Sequence, residues 1–347
     1  MKRREFITVA AAGGAGIPVL AATPSASELQ DSEASWQHEP LPLSGREGPQ
    51  TPARGLILAN LRGGATPRLA VRVGDGLLDI THAASALGMS VPQTTDELIS
   101  KGEGQLRQCM TSALAAHRDR WMVTEEAALF APCVSNPQKI ICIGLNYRRH
   151  AREIGAAEPK VPILFNKFNN ALSYHRASVP TKGLPGSHFD YECELVVVMG
   201  RRCVDVPEER ALEYVFGYCT GNDFSERTYQ MITSQWVAGK TSDGFAPIGP
   251  YLVSADLVGN PNALKLETRV NGELRQSSNT SDFIFNCQQI ISYCSHLFPL
   301  EPGDIIFTGT PEGVILGMPK ERQVWLQAGD KVLTTIEKLG SLEITVA

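Results

Sequence analysis

The stretch FDYECELVVVMG, residues 189–200, constrains the chain more than any other segment. Leu195 to Met199 form an uncharged apolar run, which reads as a strand with both faces covered. Two carboxylates, Glu192 and Glu194, lead into it on either side of Cys193. Side chains alternate along a strand, so the two acids share one face, roughly 7 Å apart, while Cys193 points to the other. Like charges so placed repel each other. A fold that keeps this strand has to supply a cation, or water, beside them.

The remaining pattern is dominated by short strands. GLILANL, RLAVRV and LLDI, with a turn at Gly74-Asp75-Gly76, are followed by helical stretches from Thr95 to Ala131, which gives a small N-terminal α+β unit over residues 54–131. Pro132 to Pro137 reads as a joint. The larger part, residues 138–347, opens with KIICIGLNY and continues through the expected strands ELVVVMG, RRCVDV, LETRVNGELRQ, GDIIFTGT and KVLTTIEKLGSLEITV. Asn271-Gly272 between alternating runs predicts a two-residue hairpin. Helices are expected around Glu208 to Val215, after Asp223, and through Ser281 to Leu297. Strands outnumber helices without a βαβ alternation, so the expectation is an α+β, mainly β protein with a mixed, largely antiparallel architecture.

Charge and cysteine content narrow the functional classes. A formal charge of −5 over 347 residues, with no Lys/Arg-rich block beyond the extreme N-terminus, argues against nucleic-acid binding. The eight cysteines form no CxxC pair and read as small buried apolar groups. At the N-terminus, Lys2, Arg3 and Arg4 precede a weakly apolar stretch to Ala22, then small residues. This layout, with Arg3-Arg4-Glu5-Phe6, resembles a bacterial twin-arginine signal over residues 1–26, followed by a Ser-, Glu-, Pro- and Gly-rich linker over 27–53. A periplasmic protein without stable membrane insertion is the expectation, since the apolar stretch is rich in Ala and Gly.

Two constellations carry chemistry. Paired acids at i and i+2 can converge on a hard divalent cation, and Asp223 in GNDFSERTYQ is a candidate third ligand. Asp223 also precedes a helical pattern with Glu226 three residues on, so capping of that helix is the competing role. In GLNYRRHAREIG, His150 and Glu153 are three apart and meet on one face of a helix. A carboxylate that orients an imidazole makes a general base; an ordinary surface ion pair is the alternative.

Taken together, GLNYRRHARE, FDYECELVVVMG, GNDFSERTYQ, GKTSDGFAPIGP, RVNGELRQ and GDIIFTGTPEGV resemble, in order, the motifs of the fumarylacetoacetate hydrolase superfamily. The resemblance implies a mixed β-sandwich or roll catalytic part. It matches Glu192, Glu194 and Asp223 to carboxylates that hold Mg2+ (Mn2+ or Ca2+ in some members). His150 and Glu153 match a water-activating dyad on a lid segment, and Lys240 a group that stabilises developing negative charge. Gln230 and Thr310 match substrate-positioning residues, with Thr310 at the carboxyl end. Arg227 reads first as a structural partner of one acid. Lys167, followed by Phe168 where many members have proline, reads as a surface lysine.

The activity so implied is metal-dependent hydrolysis of a C–C bond in a small 2,4-dioxo acid of the acylpyruvate type, through an enolate held at the metal, by a homodimer. Oxo-acid decarboxylation, isomerisation of a 2-hydroxy-diene dioate, and ureidoglycolate lysis would use the same metal site. A protein that only binds a small molecule through the metal is the alternative from another class.

Overall fold

The computed structural model describes Pro49 and residues 52–64, 66–117 and 120–347; the expected signal and nearly all of the expected linker lie outside these residues. Two sheets organise the chain. The larger has ten strands, and Cys193–Met199 lies inside it between Val215–Asn222 and Ile305–Phe307, antiparallel to both. Ile140–Gly144 follows Ile305–Phe307 in parallel, and Ile163–Lys167 forms the edge. On the other side the sheet runs through Leu252–Ser254 into Ile57–Leu61, Arg68–Val73, Gly76–Asp79 and Met122–Thr124. The N-terminal strands therefore extend the sheet that carries the acids. The second sheet has five strands, with Lys265–Val270, Lys331–Ile336 and Gly340–Val346 at its centre. The architecture is α+β and mainly β, as the strand pattern predicts.

The central strand is buried at every position, and its alternation separates two apolar clusters. Cys193, Leu195, Val197 and Met199 enter one cluster with Ile141, Ile143 and Ile306. Val196 and Val198 enter the other with Ile140, Cys142 and Phe307. Full burial of such side chains stabilises by about 2 kcal/mol each, and that holds the strand in one register. By the same alternation Glu192 and Glu194 fall on the Val196 face.

Local differences from expectation have local causes. The helix expected from Ser281 spans Cys287–Leu297, because Asn286 and Gln289 form a capping box that starts it there; Thr280–Asp282 is a separate 3-10 turn. RRCVDV is not a strand; Cys203 makes one isolated bridge to Leu300. Glu208–Tyr214 is a 3-10 rather than an α-helix. The Asn271-Gly272 hairpin forms, with φ of 51° and 87°, values that suit these two residue types.

Candidate active site

Asp190, Glu192 and Glu194 occupy alternate positions along one face, and each acid meets a different set of partners. Asp190 accepts hydrogen bonds from Arg227 Nε at 2.8 Å and from the backbone N–H groups of Ile315 and Leu316 at 2.9 and 3.0 Å. Glu192 accepts from Arg227 Nη1 at 2.5 Å and from Lys240 Nζ at 2.9 Å. Burial alone would raise its carboxyl, but Lys240 and Arg227 prevail and hold it at about 2. Among the described residues, Glu194 has only the backbone N–H of Gly309, at 2.7 Å. Burial, then the Asp223 and Glu192 carboxylates, push it well above the usual carboxylate range.

Asp223 joins these acids from the end of the neighbouring strand. Its backbone N–H donates to the Glu192 carbonyl at 2.9 Å, and its Oδ2 accepts from Lys240 Nζ at 2.7 Å. The capping role belongs to Glu226, whose Oε2 accepts from Tyr229 N at 2.7 Å. Asp223 faces the glutamates instead, and ligand oxygens of Glu192, Glu194 and Asp223 all lie within 4.8 Å of one another.

Lys167 is not a surface residue. Its side chain is fully buried, with Nζ donating to the carbonyls of Phe224, Lys240 and Phe245 at 3.1, 2.6 and 2.9 Å. Asp223 Oδ1 lies 2.6 Å from the same nitrogen. Three carbonyls use the three protons of the ammonium, so this oxygen has a charge neighbour but no hydrogen bond. Burial, the largest influence, and nearby Lys240 lower the Lys167 ammonium, against the pull of Asp223. At Lys240 the Asp223 and Glu192 carboxylates overcome burial and raise it.

Among the described residues, Asp190, Glu192, Glu194 and Asp223 thus meet three cations, Arg227, Lys167 and Lys240, and Glu194 is left without one. A buried charge without a partner is costly. An uncompensated carboxylate, a carboxylate oxygen without a hydrogen bond and an all-oxygen donor set together fit a hard divalent cation. Glu192, Glu194 and Asp223 would hold it.

The dyad stands on the helix Arg148–Glu153, with His150 Nδ1 3.1 Å from Glu153 Oε2. A carboxylate only accepts, so Nδ1 carries the proton and Nε2 keeps a free lone pair. Glu153 Oε1 accepts from Gly313 N at 2.9 Å. Gly317 packs against the carboxylate so closely that a Cβ there would sit 2.4 Å from it. Before the helix, the Asn146 amide bonds both backbone groups of Phe285 and the Thr308 carbonyl. Asp282 Oδ2 accepts the Arg149 N–H at 2.9 Å.

These groups open onto one cavity of about 200 Å³. His150, Glu192, Glu194, Gln230, Lys240 and Thr310 line it together with Arg227, so six of the eight expected site residues converge there; Glu153 reaches it through His150, and Asp223 completes the acid cluster. Gln230 Oε1 accepts from Arg227, and Thr310 Oγ1 from Gln276. Asp190 and Gln276 were not singled out from the sequence. Asp190 continues the i, i+2 alternation of the two glutamates, which was a readable signal. Gln276 fixes the Cys193 N–H and Thr310 across strands distant in sequence, which pattern alone does not reveal.

A family profile described as "Fumarylacetoacetate (FAA) hydrolase C-terminal" matches residues 139–347. The chain belongs to the fumarylacetoacetate hydrolase family. A fumarylacetoacetate hydrolase domain-containing protein 2 homolog from Dictyostelium discoideum is 40% identical over 290 residues, spanning 81% of this chain and 92% of that protein. A mitochondrial oxaloacetate tautomerase from Xenopus laevis is 37% identical over 310 residues, spanning 87% and 93%. Among solved structures, maleylpyruvate hydrolase from Sphingobium sp. SYK-6, in complex with manganese(II) ion and pyruvate, has a TM-score of 0.64 at 30% identity and covers 84% of this chain and 98% of that one. Members of the fumarylacetoacetate hydrolase family named here thus include a hydrolase and a tautomerase.

Proposed function

We propose that this family member is a divalent-metal-dependent hydrolase that cleaves the C3–C4 bond of a small 2,4-dioxo acid. The observation that carries the reading is the His150–Glu153 pair opening onto the same cavity as the buried acids and Lys240. The bound cation, Mg2+ or Mn2+, would supply Lewis-acid stabilisation of negative charge on the 2-oxo and carboxylate oxygens. The Sphingobium hydrolase with manganese(II) and pyruvate supports that ion class.

The chain's own residues supply the rest. Thr310 and Gln230 orient the acid end. His150 Nε2 takes a proton from water as its oxygen bonds to C4, while Glu153 stabilises the imidazolium through Nδ1–H. The C3–C4 bond then breaks, its electron pair passing to C3 and the 2-oxo oxygen as an enolate. Lys240 is the fixed positive charge beside that oxygen. Proton return to C3 releases a carboxylic acid and a pyruvate.

Keto–enol tautomerisation is the second reading, favoured by the tautomerase relative. It needs His150 as a proton carrier and no attacking water. Incubating the Mg2+- or Mn2+-loaded protein with a 2,4-dioxo acid should release both products, and a chelator should abolish the release. Activity that survives metal removal, or isomerisation without cleavage, would overturn the hydrolase reading. Export by the twin-arginine route and assembly as a homodimer belong to the same proposal. Protein from the cell envelope that retains Met1 would overturn the first, and a monomer on sedimentation the second.

A further inference from the structure

The cavity has an inner end and an outer wall of opposite character. The polar lining, His150, Glu192, Glu194, Arg227, Gln230, Lys240 and Thr310, belongs to the site described above; the remaining side chains are apolar, among them Leu145, Ile154, Phe165, Met231, Trp236 and Leu316. Two of these are open to solvent, Met231 at 63% and Ile154 at 38%. Trp236 is packed so tightly on the strand below that a Cβ on Gly144 would meet its ring at 2.3 Å, so this wall is fixed. Leu145 holds a positive φ of 53°, a conformation that non-glycine residues seldom adopt, and presents its side chain to the cavity.

The charges near the cavity are already used. Among the described residues, the lysine and arginine lining it are Lys240 and Arg227, and both are committed to the acids. His150 is paired with Glu153. On the helix above, Arg148 Nη1 donates to the Asp282 carbonyl and Arg149 pairs with Glu312. Arg152 is exposed and does not line the cavity.

We infer that the substrate carries one carboxylate, at its 2-oxo end, and a short uncharged aliphatic tail at the other. A second carboxylate would lose water against the partly buried Leu145, Phe165, Trp236 and Leu316 with no cation to receive it, whereas each methylene there gains burial. The inference rests on a 2-oxo acid occupying this cavity, as proposed above. It adds a discrimination which the metal, the dyad and Lys240 do not make.

The test uses the metal-loaded full chain and two matched series: 2,4-dioxo acids with unbranched alkyl tails, and the same acids ending in a carboxylate. For the alkyl series kcat/KM should rise about fourfold per methylene until the cavity is filled. Each ω-carboxylate should be at least about a hundredfold poorer than its methyl-ended match, in line with a buried charge left unpaired. Met231→Arg and, independently, Leu316→Arg should each raise kcat/KM for the diacids by about tenfold or more and lower it for the alkyl series.

Competition binding is measured alongside turnover. If neither series is cleaved but the alkyl acids still bind more tightly, the hydrolase reading fails and the tail preference stands. Equal or better binding and turnover of the diacids would overturn the inference.

Discussion

Glu194 and His150 line one cavity and are held there by different means. Glu194 stands in the long buried strand Cys193–Met199 of the ten-stranded sheet, paired with Gly221 of one neighbouring strand, and two residues further on the strand is paired on both sides. His150 stands on a six-residue helix whose N-terminus has no side-chain cap of its own and which is secured by Asn146, Asp282 and Gly313 from other segments. The acids are thus set by the core of the fold, and His150, the proposed base, by a few polar contacts at its margin. Ion binding demands a donor set that does not yield. A proton carrier over a substrate site tolerates, and uses, a support that can open.

Four measurements can break or sharpen this contrast. The largest effect is expected from Glu194→Gln. It should weaken Mg2+ or Mn2+ binding by about a hundredfold or more in titration calorimetry, and leave the metal-free protein as stable as before or more so, because the amide keeps an acceptor for the Gly309 N–H without a group whose ionisation the site opposes. Lower stability of the metal-free variant would mean that Glu194 serves the fold rather than an ion. Next, His150→Asn should lower turnover by about 10²- to 10⁴-fold while metal affinity changes little. Turnover close to that of the unaltered protein would end the role of His150 as base.

Asp282→Ala comes third. It removes the acceptor of the Arg149 N–H, a contact worth about 1 kcal/mol, so amide hydrogens of residues 148–153 should exchange about fivefold faster with metal affinity unchanged. Exchange at the original rate would show that the helix is held by something else.

The smallest effect lies outside the cavity. Burial, then the Arg176 guanidinium, pulls the His175 imidazole down to about 4 from 6.5. The unfolded chain therefore takes up this proton first as the pH falls. The stability contribution is fully present above pH 6.5 and is lost progressively toward about 4. His175→Gln should flatten the dependence of the urea midpoint on pH across that window, and an unchanged slope would mean that other groups dominate it.

The contrast also sets what could be read from sequence. The acid-bearing strand was legible because alternation and an apolar run are local facts: Glu192 and Glu194 share a face, and Leu195 to Met199 are buried. The His150–Glu153 pair was legible from helical spacing. Whether Asp223 caps a helix or faces the glutamates was not, because Glu226 three residues on could serve the same helix, and tertiary contacts decide which of them does. Lys167 was misjudged for a related reason. Its burial depends on three carbonyls, from Phe224, Lys240 and Phe245, which the chain brings together over large sequence separations. The helix over Cys287–Leu297 began later than expected because apolar residues from Phe283 to Phe285 mimic helical patterning, while the capping box at Asn286 fixes the true start.

The pairing of Ile57–Leu61 with Leu252–Ser254 bears on how this family member can be dissected. Cutting the polypeptide ahead of the family-matched segment would strip a row of backbone donors and acceptors on Leu252 and Val253 and lay bare an apolar sheet rim. The shortened polypeptide is expected to self-associate and precipitate, so the proposed activity depends on the first strands as much as on the acids several strands away.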